Sequence, residues 1–241
     1  MKISIITVCY NSEKTIKDTI ESVLKQTYKN FEYLIIDGKS SDDTINIINN
    51  YNDPRIKLIS EKDNGIYDAM NKGIKLASGD IIATLNSDDI LANENIFKTV
   101  IDNFDKDTDI IYANIKYYNE DFTKLIRNFI SGQKHNDYFC PAHPSMYIKK
   151  EVFNKIGTYN LNYKIAADFD FMVRCNINNI KYKYINKYFV YMRYGGTSNN
   201  SYLKNFNECF IILKNNHIKY PLTKTIKRSI HTIIQIIKGK L

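Results

Sequence analysis

The chain opens on an unbroken apolar run, Ile3 to Val8, rich in β-branched residues. A run without polar alternation predicts a strand covered on both faces. A short loop, Cys9-Tyr10-Asn11-Ser12, follows. Ile16, Ile20, Val23 and Leu24 then recur at helical spacing, with Asn11 or Ser12 as the expected cap. The alternation repeats. Phe31 to Ile36 reads as a second strand, ending in Asp37-Gly38, and Ser40-Ser41-Asp42-Asp43 caps a helix carrying Ile45, Ile48 and Tyr51. Ile56 to Ile59 is a short third strand. Tyr67, Met70, Ile74 and Ala77 line one helix face that Ser78-Gly79 ends, and Ile81 to Leu85 is a fourth strand. Strands alternating with helices of this length predict βαβ units and a mainly parallel sheet, an α/β fold.

Beyond residue 90 the pattern loosens. Ile96, Phe97, Val100, Ile101 and Phe104 mark a helix. Asp109 to Ala113 is a strand, with strand-like stretches on to Arg127. Residues 128–145 lack a clear period, and a loop of that length in a compact domain is usually functional. Met146 to Ile148 reads as a strand and Lys150 to Ile156 as a short helix. A helix begins near Asp168, a strand spans Lys181 to Tyr191, and a helix follows Ser198. In the tail, Ile226, Ile230, Ile233, Ile234, Ile237 and Leu241 share one helical face, with Lys224, Lys227, Arg228, Lys238 and Lys240 around it. This composition suits a helix lying on a membrane surface, or a terminal helix docked on its own domain with solvated lysines.

The length of 241 residues suits one large domain, and 44% hydrophobic content supplies a core. The net charge of +8 favours anionic partners, unless the abundance of Lys, Asn and Ile reflects genome composition alone. Cys9, Cys140, Cys175 and Cys209 are widely spaced, which argues against a zinc site or a disulfide framework and for reduced thiols in the cytoplasm. The apolar start is too short for a signal peptide, and no stretch reaches the ~18 apolar residues of a membrane span. The expected location is cytoplasmic, with peripheral contact at the inner face of the membrane through residues 221–241.

Candidate chemistry gathers at strand ends. Leu85-Asn86-Ser87-Asp88-Asp89 closes the fourth strand with two adjacent carboxylates. Ligands of open α/β sheets bind at that edge. Neighbouring acids repel unless a cation or a ligand donor stands between them. The pair therefore reads as a seat for a divalent cation carrying phosphates, against the plainer reading of a turn or cap. Asp37 opens onto the same edge, to accept a hydrogen bond from a base or ribose or to cap its own turn. Thr7, Tyr10 and Asn11 reach it from the first strand, and Tyr10 either stacks on a base or is an ordinary loop aromatic. Asp168 follows an apolar pair, where desolvation suits a general base, and it equally reads as an N-cap. No G-x-G-x-x-G or P-loop motif is present, which argues against dinucleotide-binding and P-loop folds.

Ordered motifs now become specific. Ile5-Ile6-Thr7-Val8-Cys9-Tyr10-Asn11, Ser22-Val23-Leu24-Lys25-Gln26-Thr27-Tyr28 and Ile35-Ile36-Asp37-Gly38-Lys39-Ser40-Ser41-Asp42 come first. Gly65-Ile66-Tyr67-Asp68-Ala69-Met70-Asn71-Lys72-Gly73 and Leu85-Asn86-Ser87-Asp88-Asp89 follow. Together they resemble the start of a family 2 glycosyltransferase with the GT-A fold. His143-Pro144-Ser145-Met146 and Ala167-Asp168-Phe169-Asp170 resemble acceptor-side motifs of that family, so the likeness spans about residues 3–200.

The resemblance implies a Rossmann-like sheet flanked by helices, with a nucleotide-sugar half (1–110), an acceptor half (111–218) and a basic amphipathic helix (219–241). It implies that Thr7, Tyr10, Asn11 and Asp37 hold the nucleoside and that Asp68 and Lys72 line its pocket. Asp88 would face the ribose or sugar, Asp89 would ligate Mn²⁺ or Mg²⁺ on the diphosphate, and Asp168 would be the catalytic base. Arg193, before Tyr194-Gly195-Gly196-Thr197-Ser198, would meet the diphosphate or simply sit on the surface. Two departures stand out: Asn86 replaces the first acid of the metal motif, and Ala167 replaces the usual Glu before the base. The implied activity is inverting, metal-dependent transfer from a nucleotide-diphosphate sugar, UDP-linked, to a glycan or lipid-linked hydroxyl in surface polysaccharide synthesis. A homo-oligomer is compatible with this reading. A sugar-nucleotide pyrophosphorylase would need a Gly-rich phosphate loop that is missing. A nucleic-acid module, suggested by 19 Tyr and the positive charge, would need its lysines gathered on one surface. A catalytically silent glycan-binding relative is the remaining alternative.

Overall fold

The computed structural model describes residues 1–132, 140–195 and 202–238, with side chains as far as Ile230. Strand β1 (Ile3–Cys9) lies between β2 (Phe31–Asp37) and β4 (Ile81–Asn86) and is parallel to both. β3 (Ile56–Ser60) adds in parallel outside β2. The short β5 (Ile90–Leu91) leaves the acidic loop and joins a distant edge. Beyond β4 the sheet changes direction. β8 (Tyr147–Lys149) is antiparallel to β4 and to β6 (Ile110–Tyr118). β6 also pairs with β7 (Leu125–Phe129) and with β9 (Tyr182–Arg193). The strand order is β3-β2-β1-β4-β8-β6-β9-β5.

Each sheet face carries its own core. Residues 3, 5 and 9 of β1 face α1 (Ile16–Leu24), α2 (Thr44–Asn49) and α4 (Ile96–Asn103). Ile6 and Val8 face α3 (Ile66–Leu76), α5 (Lys150–Ile156), α6 (Ala167–Ile177) and α7 (Tyr202–Asn215). This double cover is why the strands lack polar alternation. Gly73 is where α3 approaches β1 most closely: a Cβ there would stand 2.5 Å from Ile6 Cγ2. Several tyrosines that composition offers to nucleic acid are instead core side chains, Tyr33, Tyr112, Tyr147 and Tyr159 among them.

Some sequence expectations need correction. α1 starts three to four residues later than its expected caps, because the Ser12 carbonyl accepts the Thr15 and Ile16 N–H groups in a preceding turn. Asn11 adopts φ 48° and turns its side chain to the Ser41 N–H instead of to α1. Tyr51 lies beyond α2. The β5 pairing was not foreseen, since two residues carry no period. The N-cap of α6 is Ala166, so Asp168 sits inside the first turn and does not cap it. Gly196, Thr197, Ser198 and the tail residues Lys240 and Leu241 lie outside the described residues, as do the side chains of Ile233, Ile234, Ile237 and Lys238.

At the amino ends of the strands, the buried Glu32 carboxylate ties three segments together. It accepts from Ser4 Oγ at 2.6 Å, Ser78 N at 2.6 Å and Lys57 Nζ at 2.8 Å. Burial pushes this carboxyl up, but the hydrogen bonds from Lys57, Ser4 and Ser78 outweigh it and hold it well below the usual range. A lowered native pKa stabilises the fold above the unfolded Glu value of about 4.3, and that contribution is lost as pH falls toward the native value. Glu32→Gln should therefore destabilise the protein by about 1–3 kcal/mol at neutral pH. In urea titrations the gap should close in acid, and a gap of equal size at about pH 3 would refute the linkage.

Candidate active site

The register of the parallel strands brings their carboxyl ends level. Val8 pairs with Asn86, Cys9 with Asp37, and Asp37 with Ser60. Tyr10, Asp37 and the acidic loop after Asn86 therefore leave the sheet side by side, at the edge where α/β folds bind ligands.

Asp37 is fully buried and heavily engaged. Its Oδ2 accepts Lys39 N and Ser40 N at 3.0 Å each and Ser60 Oγ at 2.6 Å, and its Oδ1 accepts the Ser40 hydroxyl. It folds the 38–41 loop, as its capping alternative required. Thr7 is also fully buried, its Oγ1 accepting Tyr33 OH at 2.9 Å, so it supports the edge from beneath. Asn11 Oδ1 accepts Ser41 N at 2.9 Å, joining the first two loops. Tyr10 is 63% exposed and stands free to stack. A Cβ on Gly38 would lie 2.6 Å from Asp63 Oδ2 and 3.4 Å from Tyr10 Cδ2, so Asp63 joins Tyr10 here. Nothing in the sequence singled out Asp63. Asp68 Oδ2 accepts Asn64 N at 2.9 Å, and Lys72 bonds the Lys62 carbonyl at 2.6 Å and Glu61 at 3.0 Å. Both fasten the 61–64 loop that leads from β3 into α3.

The acidic loop is held from several directions. Thr19 Oγ1 donates to the Asp89 carbonyl at 2.8 Å, and the Ser12 and Ser87 hydroxyls meet at 2.9 Å. Asn86 Nδ2 donates to Asp89 Oδ2 at 2.9 Å. Asp89 is fully buried, and its Oδ1 has no hydrogen-bond partner among the described residues. Burial first, and the neighbouring Asp88 second, push the Asp89 carboxyl well up. Burial also raises Asp88, with Arg193 opposing it. Arg193 is committed to building this loop. It donates to the Asp88 carbonyl at 2.6 Å, the Glu120 carbonyl at 2.6 Å and Asp18 at 2.6 Å, and it lies over the Phe122 ring. As it stands, it holds the acids' backbone rather than opening toward a phosphate.

Asp168 arrives from the other half. Its Oδ1 accepts Phe169 N at 2.8 Å and lies 3.1 Å from Tyr67 OH, whose proton is shared with the Ile165 carbonyl at 2.8 Å. Tyr67 is in the first turn of α3, just past the carboxyl end of β3, so Asp168 stands at the same edge. Its Oδ2 takes no hydrogen bond from the described residues. His143 Nε2 lies 2.7 Å from Tyr159 OH, and burial lowers the imidazole below its ordinary value while Asp168 opposes that shift. The segment before α6 is held by Glu208 of α7, which accepts Lys164 N, Ile165 N and Ala166 N at 3.0, 2.9 and 2.9 Å. No sequence signal marks Glu208, because its partners are backbone groups more than forty residues away. Among the described residues no three His, Cys, Asp or Glu side chains come together as a metal cluster.

The family model "Glycosyl transferase family 2" matches residues 4–173. The chain is 32% identical over 178 residues to the Escherichia coli protein WfaP, covering 73% of this chain and 69% of that one. WfgD of the same organism is 38% identical over 133 residues, covering 55% and 52%. Both are named UDP-Glc:alpha-D-GlcNAc-diphosphoundecaprenol beta-1,3-glucosyltransferase. A "PGL/p-HBAD biosynthesis glycosyltransferase" of Mycobacterium bovis is 29% identical over 180 residues, covering 73% and 70%. Among solved structures, S. aureus TarS 1-349 with UDP-GlcNAc superposes with a TM-score of 0.73 at 21% identity, covering 95% of this chain and 72% of that one. The Pyrobaculum calidifontis mannosyltransferase PcManGT with GDP-Man and Mn²⁺ gives 0.65 at 13%, covering 93% and 73%. These superpositions establish the GT-A fold, and with the family match over most of its length the chain belongs to glycosyl transferase family 2.

Proposed function

We propose that the protein is an inverting glycosyltransferase that moves a sugar from a UDP-sugar to a hydroxyl of a lipid-linked glycan. The observation that supports this reading is that Asp168 and Asp89 both stand at the carboxyl edge of the sheet, each with a carboxylate oxygen that takes no hydrogen bond from the described residues. Residues 1–110 would bind the nucleotide-sugar and 111–218 the acceptor. Tyr10 would stack on the base, with Asp37 shaping the loop beneath it. The names of the E. coli relatives support a UDP-sugar donor and a lipid diphosphate acceptor. UDP-glucose is α-linked and those relatives are named for β products, which is inversion.

Asp168 Oδ2 would take the proton of the acceptor hydroxyl as that oxygen attacks the anomeric carbon. The bond to the diphosphate breaks on the opposite face, and its electron pair leaves with UDP. Tyr67 and the Phe169 N–H aim the carboxylate through its other oxygen. A divalent cation fits the residues present, because Asp89 offers a buried carboxylate oxygen with no partner among the described residues. Mn²⁺ or Mg²⁺ held by Asp89 would offset the charge gathering on the diphosphate.

The C-terminal helix α8 (Pro221–Lys238) suits a lipid-linked acceptor. Its inward positions are Thr225 and Arg228, while Leu222, Ile226 and Ile230 are 52%, 42% and 50% exposed. An apolar stripe facing out, flanked by Lys219, Lys224 and Lys227, matches an anionic lipid surface. No helix among the described residues is long and apolar enough to cross a membrane. Contact would be peripheral.

Asp168→Asn should cut transfer by about 10²–10⁴-fold with donor affinity nearly unchanged, as read by UDP release and calorimetry. Near-normal turnover would remove the base assignment. Asp89→Asn should abolish the Mn²⁺-dependent part of donor binding. The sign of its pH linkage is opposite to that of Glu32: a raised native pKa stabilises below the unfolded value, and that stability is lost as pH rises through the native one. In chelator at neutral pH, Asp89→Asn should therefore melt higher than the native protein, by about 2–4 °C for each kcal/mol relieved. An unchanged or lower melting temperature would contradict the buried-charge account. The double substitution Ile226→Glu/Ile230→Glu should release the protein from phosphatidylglycerol vesicles in flotation assays, and undiminished binding would exclude α8 as the membrane contact.

A further inference from the structure

Arg228 belongs to α8, beyond the region that matches the family, yet its guanidinium reaches the floor of the candidate acceptor site. Its Cζ lies 4.2 Å from the centroid of the Phe169 ring, which is fully buried and follows Asp168 directly in the chain. The Cys140 and Cys209 thiols and the Asp168 carboxylate all lie within its electrostatic reach. The helix is seated here from both sides. Thr225, one turn earlier, is 1% exposed, and Phe169 is pinned by the Asp168–Phe169 N–H bond. A half-buried cation needs compensating groups, and the Phe169 ring face and the Asp168 carboxylate are among those near it. The residue before Asp168 is Ala167, with no charge of its own to steer the base.

We propose that Arg228 is a positioning residue for Asp168: from the C-terminal helix it anchors Phe169 and holds the carboxylate aimed at the acceptor hydroxyl. The inference rests on Asp168 as the base. It also joins the two functions of α8. One face of the helix meets the lipid surface, and the opposite face sets the base, so that seating the tail and orienting Asp168 are one event.

The test uses the full chain with Arg228→Ala and Arg228→Lys. One readout needs no turnover: the ¹³C carboxyl signal of Asp168 in protein labelled at aspartate, assigned by its loss in Asp168→Asn. Arg228→Ala should displace that signal, and Arg228→Lys should restore most of the native position. The second readout is transfer from UDP-glucose to a synthetic GlcNAc-diphospho-lipid with Mn²⁺. Arg228→Ala should lower kcat by about 10- to 100-fold with donor KM held, and added guanidinium ion should recover part of it. A residue that only fastened the helix would leave the Asp168 signal in place and would not respond to guanidinium. An unmoved Asp168 signal in folded Arg228→Ala overturns the proposal whatever the rates. If Arg228→Ala fails to fold, the milder Arg228→Lys decides, and a native signal with native kcat in the presence of a displaced Phe169 ring overturns the proposal as well. A native protein that transfers nothing from any UDP-sugar would overturn the proposed function, while the carboxyl signal still judges the contact.

Discussion

The structure depends on one constraint, the complete burial of β1 between two strands and two layers of helices. It pairs with β2 from Ile3 to Cys9 and with β4 from Ile3 to Val8, and its side chains fill both cores. A strand enclosed in this way cannot slide, because a one-residue slip would exchange the residues of the two cores. Its carboxyl end is therefore fixed relative to those of β2 and β4. The loops after Cys9, Asp37 and Asn86 inherit that alignment, so Tyr10, Asn11, Asp37, Asp88 and Asp89 come out side by side.

The two edges of the sheet treat buried carboxylates in opposite ways. At the amino edge Glu32 is met by Ser4, Ser78, Lys57 and Lys2, and its charge is welcome in the fold. At the carboxyl edge Asp89 is as deeply buried, has one amide for a partner and faces a second acid. Arg193 compensates only in part, since it bonds the backbone carbonyl of Asp88 and the carboxylate of Asp18. A buried acid left short of partners, at the strand ends where α/β folds bind ligands, is the mark of a candidate binding site. The same contrast holds for Asp37 and Asp168. Asp37 spends both oxygens on its own loop, whereas Asp168 spends one and keeps the other.

The surroundings of Asp168 are assembled from parts far apart in the chain. Tyr67 comes from α3, His143 from the segment just before β8, Glu208 from α7 and Arg228 from α8. The short β8 makes this junction, since it is antiparallel to both β4 and β6 and so carries the sheet from one half to the other. α8 docks through Thr225 and the Arg228 side chain and leaves Leu222, Ile226 and Ile230 outward. That is the reverse of an ordinary amphipathic helix, whose apolar face turns inward.

By itself the sequence determined the parallel half almost completely. Fully buried strands announce themselves as unbroken apolar runs, and the helices between them carry one apolar stripe each, so residues 3–89 were legible from period alone. Asp88, Asp89 and Asp168 were visible as acids in apolar settings, and the ordered motifs identified the family. The caps were misread because Asn11 and Asp168 are polar residues next to helices whose oxygens serve other partners, and local pattern cannot say which. Only the tertiary structure decided that Asp37 and Thr7 are consumed within the protein, that Arg193 holds the acidic loop, and that Glu208 and Arg228 stand behind Asp168. Those relations run through backbone groups, side chains and ring faces, and the longest joins residues 175 positions apart. No periodicity encodes such contacts, because they arise only when the sheet has fixed where each loop must end.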